Sequence, residues 1–201
     1  MTSSTPTQKA QHLLQQAGLA RSCVLERAGV TRTQLRRLLA LGVIERVGRG
    51  LYALPGAART EQHDLAEATR RVPGGVVCLL SALRFHGLTT QNPFEVWMAI
   101  DRKAWRPKIE HPPLRLVYLS GPALREGAEE HDVGGVTVRV SSPAKTVADC
   151  FKFRNKIGID IAVEALRDYR RQHPKRLEAV WRFAEVDRVA LVLRPYHESL
   201  E

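Results

Sequence analysis

The sequence predicts an α+β protein in which a small, mainly helical N-terminal module is followed by a larger mixed domain with a small sheet and C-terminal helices. Three observations carry this. Apolar residues recur at helical spacing through residues 8–41, short β-rich runs flank glycine turns at 43–54 and 95–140, and helical periodicity returns from residue 142 onward. The boundary between the two parts is expected at 59/60, dividing the chain into 1–59 and 60–201, because Pro55-Gly56-Ala57-Ala58 interrupts the patterning there.

Ala10, Leu13, Leu14 and Ala17 place a first helix over residues 8–17, which Gly18 ends. Ser22 to Ala28 forms a short second helix with Val24, Leu25 and Ala28 inward, and Gly29 closes it. Thr31 with Gln34 three residues later is a capping box, so a third helix starts there and runs to about Leu41. It buries Leu35, Leu38 and Leu39 and shows Arg32, Thr33, Arg36, Arg37 and Ala40 on the opposite face. Two helices joined by a tight glycine turn, the second presenting arginines, make a helix-turn-helix. Residues 43–47 and 51–54 then read as two strands about Gly48-Arg49-Gly50, a wing that carries Arg46 and Arg49.

The charge distribution agrees with that reading. The 201-residue chain has a net charge of +10, and residues 1–59 hold nine Lys/Arg against two Glu, a net +7. The remaining 142 residues contribute only +3. A cationic surplus confined to a helix-turn-helix and its wing is what binding to the phosphates of duplex DNA requires. Arg32, Thr33, Arg36, Arg37, Arg46 and Arg49 are therefore the candidate DNA contacts, with Thr33 and Arg36 placed to meet bases. Whether a given arginine grips guanine or phosphate stays open at this stage. Gly48-Arg49-Gly50-Leu51-Tyr52-Ala53 also spells a dinucleotide-binding G-x-G-x-x-A, but that fingerprint needs a helix after it, and here an apolar strand ends at Pro55.

In the second part, helices are expected over 61–71 and 76–86, strands over 95–100, 114–119 and 136–140, and a basic loop over 101–108. Trp105 lies in that loop among Arg102, Lys103, Arg106 and Lys108. Its ring either anchors a partner or folds back on the domain. Ser142 caps a helix with Pro143 at its first position. Further helices follow over 159–171, 174–184 and 186–200, the last kinked or interrupted by Pro195.

No HExxH, GxSxG, GxxxxGK[ST], HRD or DFG pattern occurs, so the sequence offers no standard hydrolase, protease or kinase machinery, and no cofactor or metal is implied. The weak catalytic candidates are Ser142, Lys145 and Asp149, since Lys and Asp four apart share one helix face and could bind phosphate and position a hydroxyl. A helix cap and a surface ion pair explain the same residues. Cys23, Cys78 and Cys150 are odd in number, far apart and set among apolar neighbours, which fits buried free thiols. With neither a leader-like segment nor an 18-residue apolar run, a cytoplasmic chain is expected, with no membrane partner.

The chain resembles the AbiEi-type antitoxins, the repressor half of bacterial type IV toxin–antitoxin pairs. The residues that carry the resemblance are Ala28-Gly29-Val30-Thr31 leading into Leu35-Arg36-Arg37-Leu38, then Gly48-Arg49-Gly50-Leu51-Tyr52. Leu80-Ser81-Ala82-Leu83 with His86-Gly87-Leu88-Thr89, Ser142 through Asp149, and Arg194-Pro195-Tyr196 extend it. The resemblance implies autorepression at inverted-repeat DNA and neutralisation of a nucleotidyltransferase-like toxin, and if two copies occupy such a repeat, contacts between them are expected to add affinity. Two alternatives stand beside it: an antitoxin that modifies its toxin covalently, for example by serine phosphorylation, and a stand-alone transcriptional regulator.

Overall fold

A computed structural model describes residues 5–48, 50–55, 61–107, 109 and 111–199. The chain divides into two compact units, 1–70 with 131–138, and 71–130 with 139–201. The first is a winged helix-turn-helix, so the architecture is mixed α+β, as the patterning predicts.

In the first unit α1 (Pro6–Ala17) begins two residues earlier than the apolar spacing implies, because Thr5 and Gln8 form a capping box and Pro6 takes the first helical position. A two-residue strand, β1 (Ala20–Arg21), precedes α2 (Ser22–Arg27), and α3 (Arg32–Ala40) follows the Gly29 turn. Gly29 sits at φ 91°, which an L side chain rarely adopts. The wing strands β2 (Glu45–Gly48) and β3 (Leu51–Ala53) pair antiparallel, and β1 adds to β3 through Ala20 opposite Tyr52 and Arg21 opposite Leu51. The sheet order is therefore β1-β3-β2. Two residues are too few to show a period, so β1 left no signal in the sequence. Ala10, Leu14, Leu25, Val30, Leu35, Leu38 and Ile44 form the core beneath the helices.

The expected division at 59/60 lies outside the described residues, and α4 (Glu61–Arg71) is grouped with the first unit as far as Arg70. So is the turn at Gly134-Gly135. The Arg21 amide donates to the Gly134 carbonyl at 2.9 Å. A Cβ added to Gly134, which sits at φ +61°, would lie 2.5 Å from the Leu19 carbonyl oxygen.

In the second unit β4 (Val76–Val77), α5 (Leu79–Phe85), β5 (Val96–Asp101), β6 (Leu114–Leu119), α6 (Pro122–Arg125), β7 (Ala128–Val133) and β8 (Val136–Ser141) come first, the tip of the β7–β8 hairpin belonging to the first unit. The sheet has five strands in the order β6-β5-β4-β8-β7. It is mixed: β5 runs parallel to β6 and β4 to β8, while β4 and β5 are antiparallel. The helix expected over 76–86 is corrected here. Val76 and Val77 form the central strand, where β-branched side chains pack on both faces, and the helix starts only at Leu79. Strand β7 was not anticipated, since Ala128-Glu129-Glu130-His131-Asp132 is too polar to read as one.

The remaining elements are α7 (Pro143–Lys152), α8 (Arg154–Ile157), α9 (Ile159–Gln172), α10 (Leu177–Val186) and α11 (Ala190–Glu198). The last expected helix is shorter than 186–200, because Asp187 caps α10 and Arg188 turns the chain at φ 60° before α11 starts. Pro195 lies inside α11. Helix α7 is central: α5, α9 and α10 all pack against it, and every residue from Ala144 to Phe151 is buried. No helix among the described residues is long and apolar enough to cross a membrane.

Candidate nucleic-acid interface and buried charge cluster

On α3 the cap sets the orientation of everything that follows. The Gln34 amide donates to the Thr31 hydroxyl at 3.3 Å and the Thr31 amide to the Gln34 side-chain oxygen at 2.8 Å, so both ends of the box are satisfied. With the first turn held, Leu35 and Leu38 point into the core at 2% and 4% exposure. Thr33, Arg36 and Arg37, spaced i, i+3 and i+4, share the solvent face, and all three are exposed. Arg32 is exposed too, but its Nε donates to Glu26 on α2 at 3.0 Å, which ties the two helices together and occupies part of the guanidinium. Arg36 and Arg37 carry no such partner among the described residues. In the wing Arg46 is exposed, its Nε donating to the Gly48 carbonyl at 3.2 Å, and Arg49 lies outside the described residues.

Residues 8–55, which hold this helix, its turn and the wing, match the family model described as transcriptional regulator, AbiEi antitoxin. The N-terminal module is thus similar to that of AbiEi antitoxin regulators. No curated protein matches the chain.

Beyond the matched residues, the catalytic candidates are placed quite differently from the surface pair expected. Ser142 caps α7 by accepting from the Lys145 amide at 3.4 Å, and it is itself buried. Lys145 and Asp149 are an interior ion pair, their side chains 2% and 1% exposed. Lys145 Nζ also donates to Asp187 Oδ2 at 3.1 Å, and Lys152 Nζ reaches Asp187 Oδ1 at 3.0 Å. The chain Asp149–Lys145–Asp187–Lys152 is thus a four-residue network running from the interior to a half-exposed lysine.

The interior setting shifts its charges. Burial pushes the Asp149 carboxyl up to about 8, the Lys145 ammonium opposing the rise and Asp187 adding to it. Burial alone would lower Lys145, but Asp149 and Asp187 outweigh it and the ammonium is held above its ordinary value. Nothing local in the sequence pointed to Asp187, because 42 residues separate it from Lys145. Lys152 followed Lys145 by two turns of helix and was equally silent.

Of the three thiols, Cys78 and Cys150 are buried, and burial pushes both well above the usual thiol range, which makes them inert. Cys23 is exposed, which corrects the expectation of three buried thiols: it sits on the solvent side of the short helix α2, where Leu25 alone is fully buried. His86 caps the end of α5 and its Nε2 lies 2.7 Å from the Ser141 carbonyl, a structural bond across two elements. Trp105 does not fold back, being 87% exposed beside a cleft lined by Val72, Ile100, Pro107 and Leu124. No group of three or more His, Cys, Asp or Glu among the described residues is arranged to hold a metal.

Proposed function

We propose that the protein represses transcription by laying α3 in the major groove of operator DNA, with the wing on the adjoining backbone, and that it neutralises a nucleotidyltransferase-like toxin through residues 71–130 and 139–201. The observation that carries the first half is the exposed face of Thr33, Arg36 and Arg37 on a capped helix inside an AbiEi-type module. Arginine can meet guanine O6 and N7 in two parallel bonds or clamp phosphate, and both uses demand an exposed, uncommitted guanidinium. Arg36 and Arg37 meet that demand more fully than Arg32, which shares its charge with Glu26.

An inverted repeat would seat two copies, and contacts between them would supply affinity that one module lacks. The toxin half is supported by the family description and by Trp105, an exposed aromatic next to an apolar cleft, which suits the anchor of a protein interface. Covalent modification of the toxin by Ser142, Lys145 and Asp149 has less support, since all three are buried, the Ser142 hydroxyl accepting from the Lys145 backbone amide and the Lys145 ammonium paired with Asp149.

Gel-shift titration on the DNA upstream of the chain's own gene tests the first half. Wild-type protein should bind with a log K that falls against log salt, and losing one phosphate contact should flatten that slope by about 0.9 unit. Wild-type affinity and slope in both Arg36→Ala and Arg37→Ala would refute the groove assignment. For the second half, coexpression with the adjacent toxin gene should show growth rescued by an Arg36→Ala/Arg37→Ala variant and not by Trp105→Ala. Absence of any toxicity from the neighbouring gene would favour a stand-alone regulator.

A further inference from the structure

The second unit contains a cavity of about 600 Å³ whose wall includes Arg102, Tyr118, Glu126, Lys152, Asp187 and Arg188. None of the proposed DNA contacts, nor Trp105 and the cleft beside it, belongs to its lining. Its size is that of a small-ligand site and its lining is cationic, with three basic side chains against two acidic ones.

The three cations are not equivalent. Lys152 is fixed: its ammonium is bonded to Asp187, whose side chain is fully buried and whose other oxygen takes Lys145. Arg102 and Arg188 are exposed and carry no ion pair or side-chain hydrogen bond among the described residues, so their donors are open. Arg188 is brought to the cavity by a backbone at φ 60°, a conformation costly for a residue with a Cβ, directly after Asp187.

The buried network behind the wall bears on the question. Interior ion pairs are commonly no more stabilising than apolar residues of the same volume, so a fold gains little by keeping Lys145, Asp149 and Asp187 there for stability. What the network does achieve is to hold one lysine at a set point on the cavity wall, backed by an interior carboxylate that cannot drift. A fixed lysine with two free guanidinia around one concavity is a receptor for a compact multiply charged anion, because phosphate oxygens accept from several such donors at once. Tyr118, 39% exposed on the same wall, offers an aromatic face beside them.

We propose that this cavity binds a phosphate-bearing small molecule, held by Arg102, Lys152 and Arg188. No residue of α3 belongs to the site, and either assignment stands if the other fails. The shared chemistry is the phosphate group, and the source is either a nucleotide, with its base on Tyr118, or a simple phosphate compound.

Isothermal titration calorimetry on the full chain with pyrophosphate, AMP and ATP in separate arms tests it. Saturable one-to-one binding of at least one probe is expected, with affinity falling about tenfold or more in Arg102→Gln and again in Arg188→Gln, since each loses charged hydrogen bonds. Both residues are exposed, so unchanged thermal melting of the apo variants checks that they fold. Wild type should melt higher with the ligand present, and the double variant should not. If Tyr118→Leu weakens AMP and ATP while sparing pyrophosphate, the ligand is a nucleotide. If it weakens no arm, the phosphate alone is recognised, and the site stands in either case. No saturable binding by any probe overturns the proposal. So does binding that survives in Arg102→Gln/Arg188→Gln, or binding that vanishes in Arg36→Ala/Arg37→Ala with the cavity intact, since that would place the anion on the DNA-binding helix.

Discussion

Helices α3 and α7 start alike and end up in opposite environments. Each has a hydroxyl cap, Thr31 or Ser142, and each carries at least one basic side chain within its first two turns. Yet α3 buries only Leu35 and Leu38 and keeps Arg36 and Arg37 in solvent, whereas α7 is buried on all sides from Ala144 to Phe151, Lys145 included. A cap specifies where a helix begins and says nothing about how many of its faces are covered. Coverage depends on what packs around the helix, and α7 has α5, α9 and α10 on it. The consequence is chemical: a solvated arginine is available to an external phosphate, while an interior lysine must be neutralised inside the protein.

The sharpest way to break this contrast is to remove the interior cation. Lys145→Ala leaves Asp149 buried without its cation and Asp187 with Lys152 alone, and should cost ~3–5 kcal/mol in urea unfolding. A loss below ~1 kcal/mol would mean the pair is solvated after all, as α3's arginines are. Gly134→Ala should destabilise the first unit by ~1–3 kcal/mol, because the added Cβ meets the Leu19 carbonyl and φ is left-handed. Proteolysis or amide exchange resolved along the chain should locate that loss in residues 5–55, and a loss confined to the strands of the second unit would show that the turn is not part of the first.

On α3 the expectation reverses: Arg36→Ala and Arg37→Ala should leave stability within about 0.5 kcal/mol of wild type. Each should nevertheless weaken operator binding by ~1–3 kcal/mol if the side chain meets a base. A stability loss comparable to that of Lys145→Ala would erase the distinction between the two helices.

A pH series gives a finer test. With Asp149 raised from 3.8 to about 8, the folded chain holds a proton that the unfolded chain has released between those values. The raised carboxyl therefore stabilises at low pH, and its contribution declines as pH rises through about 8, by at most ~1.4 kcal/mol per pH unit. Asp149→Asn, which mimics the protonated acid, should flatten that part of the profile. An unchanged profile would show that Lys145 keeps Asp149 ionised throughout. The smallest effects belong to the caps, where Thr31→Ala and Ser142→Ala should each cost ~1 kcal/mol. Thr31→Ala should in addition weaken DNA binding, by fraying the turn that carries Thr33, and equal DNA affinity in the two cap variants would leave Thr31 no special part.

Much of the first unit was legible because its signals are local. Capping boxes, glycine stops and a three-to-four-residue apolar period are all read within a dozen positions, and they placed α1, α2, α3 and the wing close to their observed bounds. The exposed α3 face carrying Thr33, Arg36 and Arg37 was legible for the same reason, as the face opposite Leu35 and Leu38. Errors gathered where a residue's state depends on distant chain. Val76-Val77 reads as the start of an apolar helix until β5 and β8 flank it, and β1 exists only because β3 is there to pair with it.

By itself, then, the amino-acid sequence determined the helix-turn-helix, its cationic face, the capped start of α7 and the mixed α+β character of the whole, since each follows from period, cap or charge within a short window. Only the tertiary structure decided that Lys145 is interior and not on the surface, that Asp187 from 42 residues away completes its neutralisation, and that Gly134-Gly135 belongs with the N-terminal unit. Burial and ion pairing are properties of neighbours in space. For these residues the neighbours come from parts of the chain that no local pattern connects.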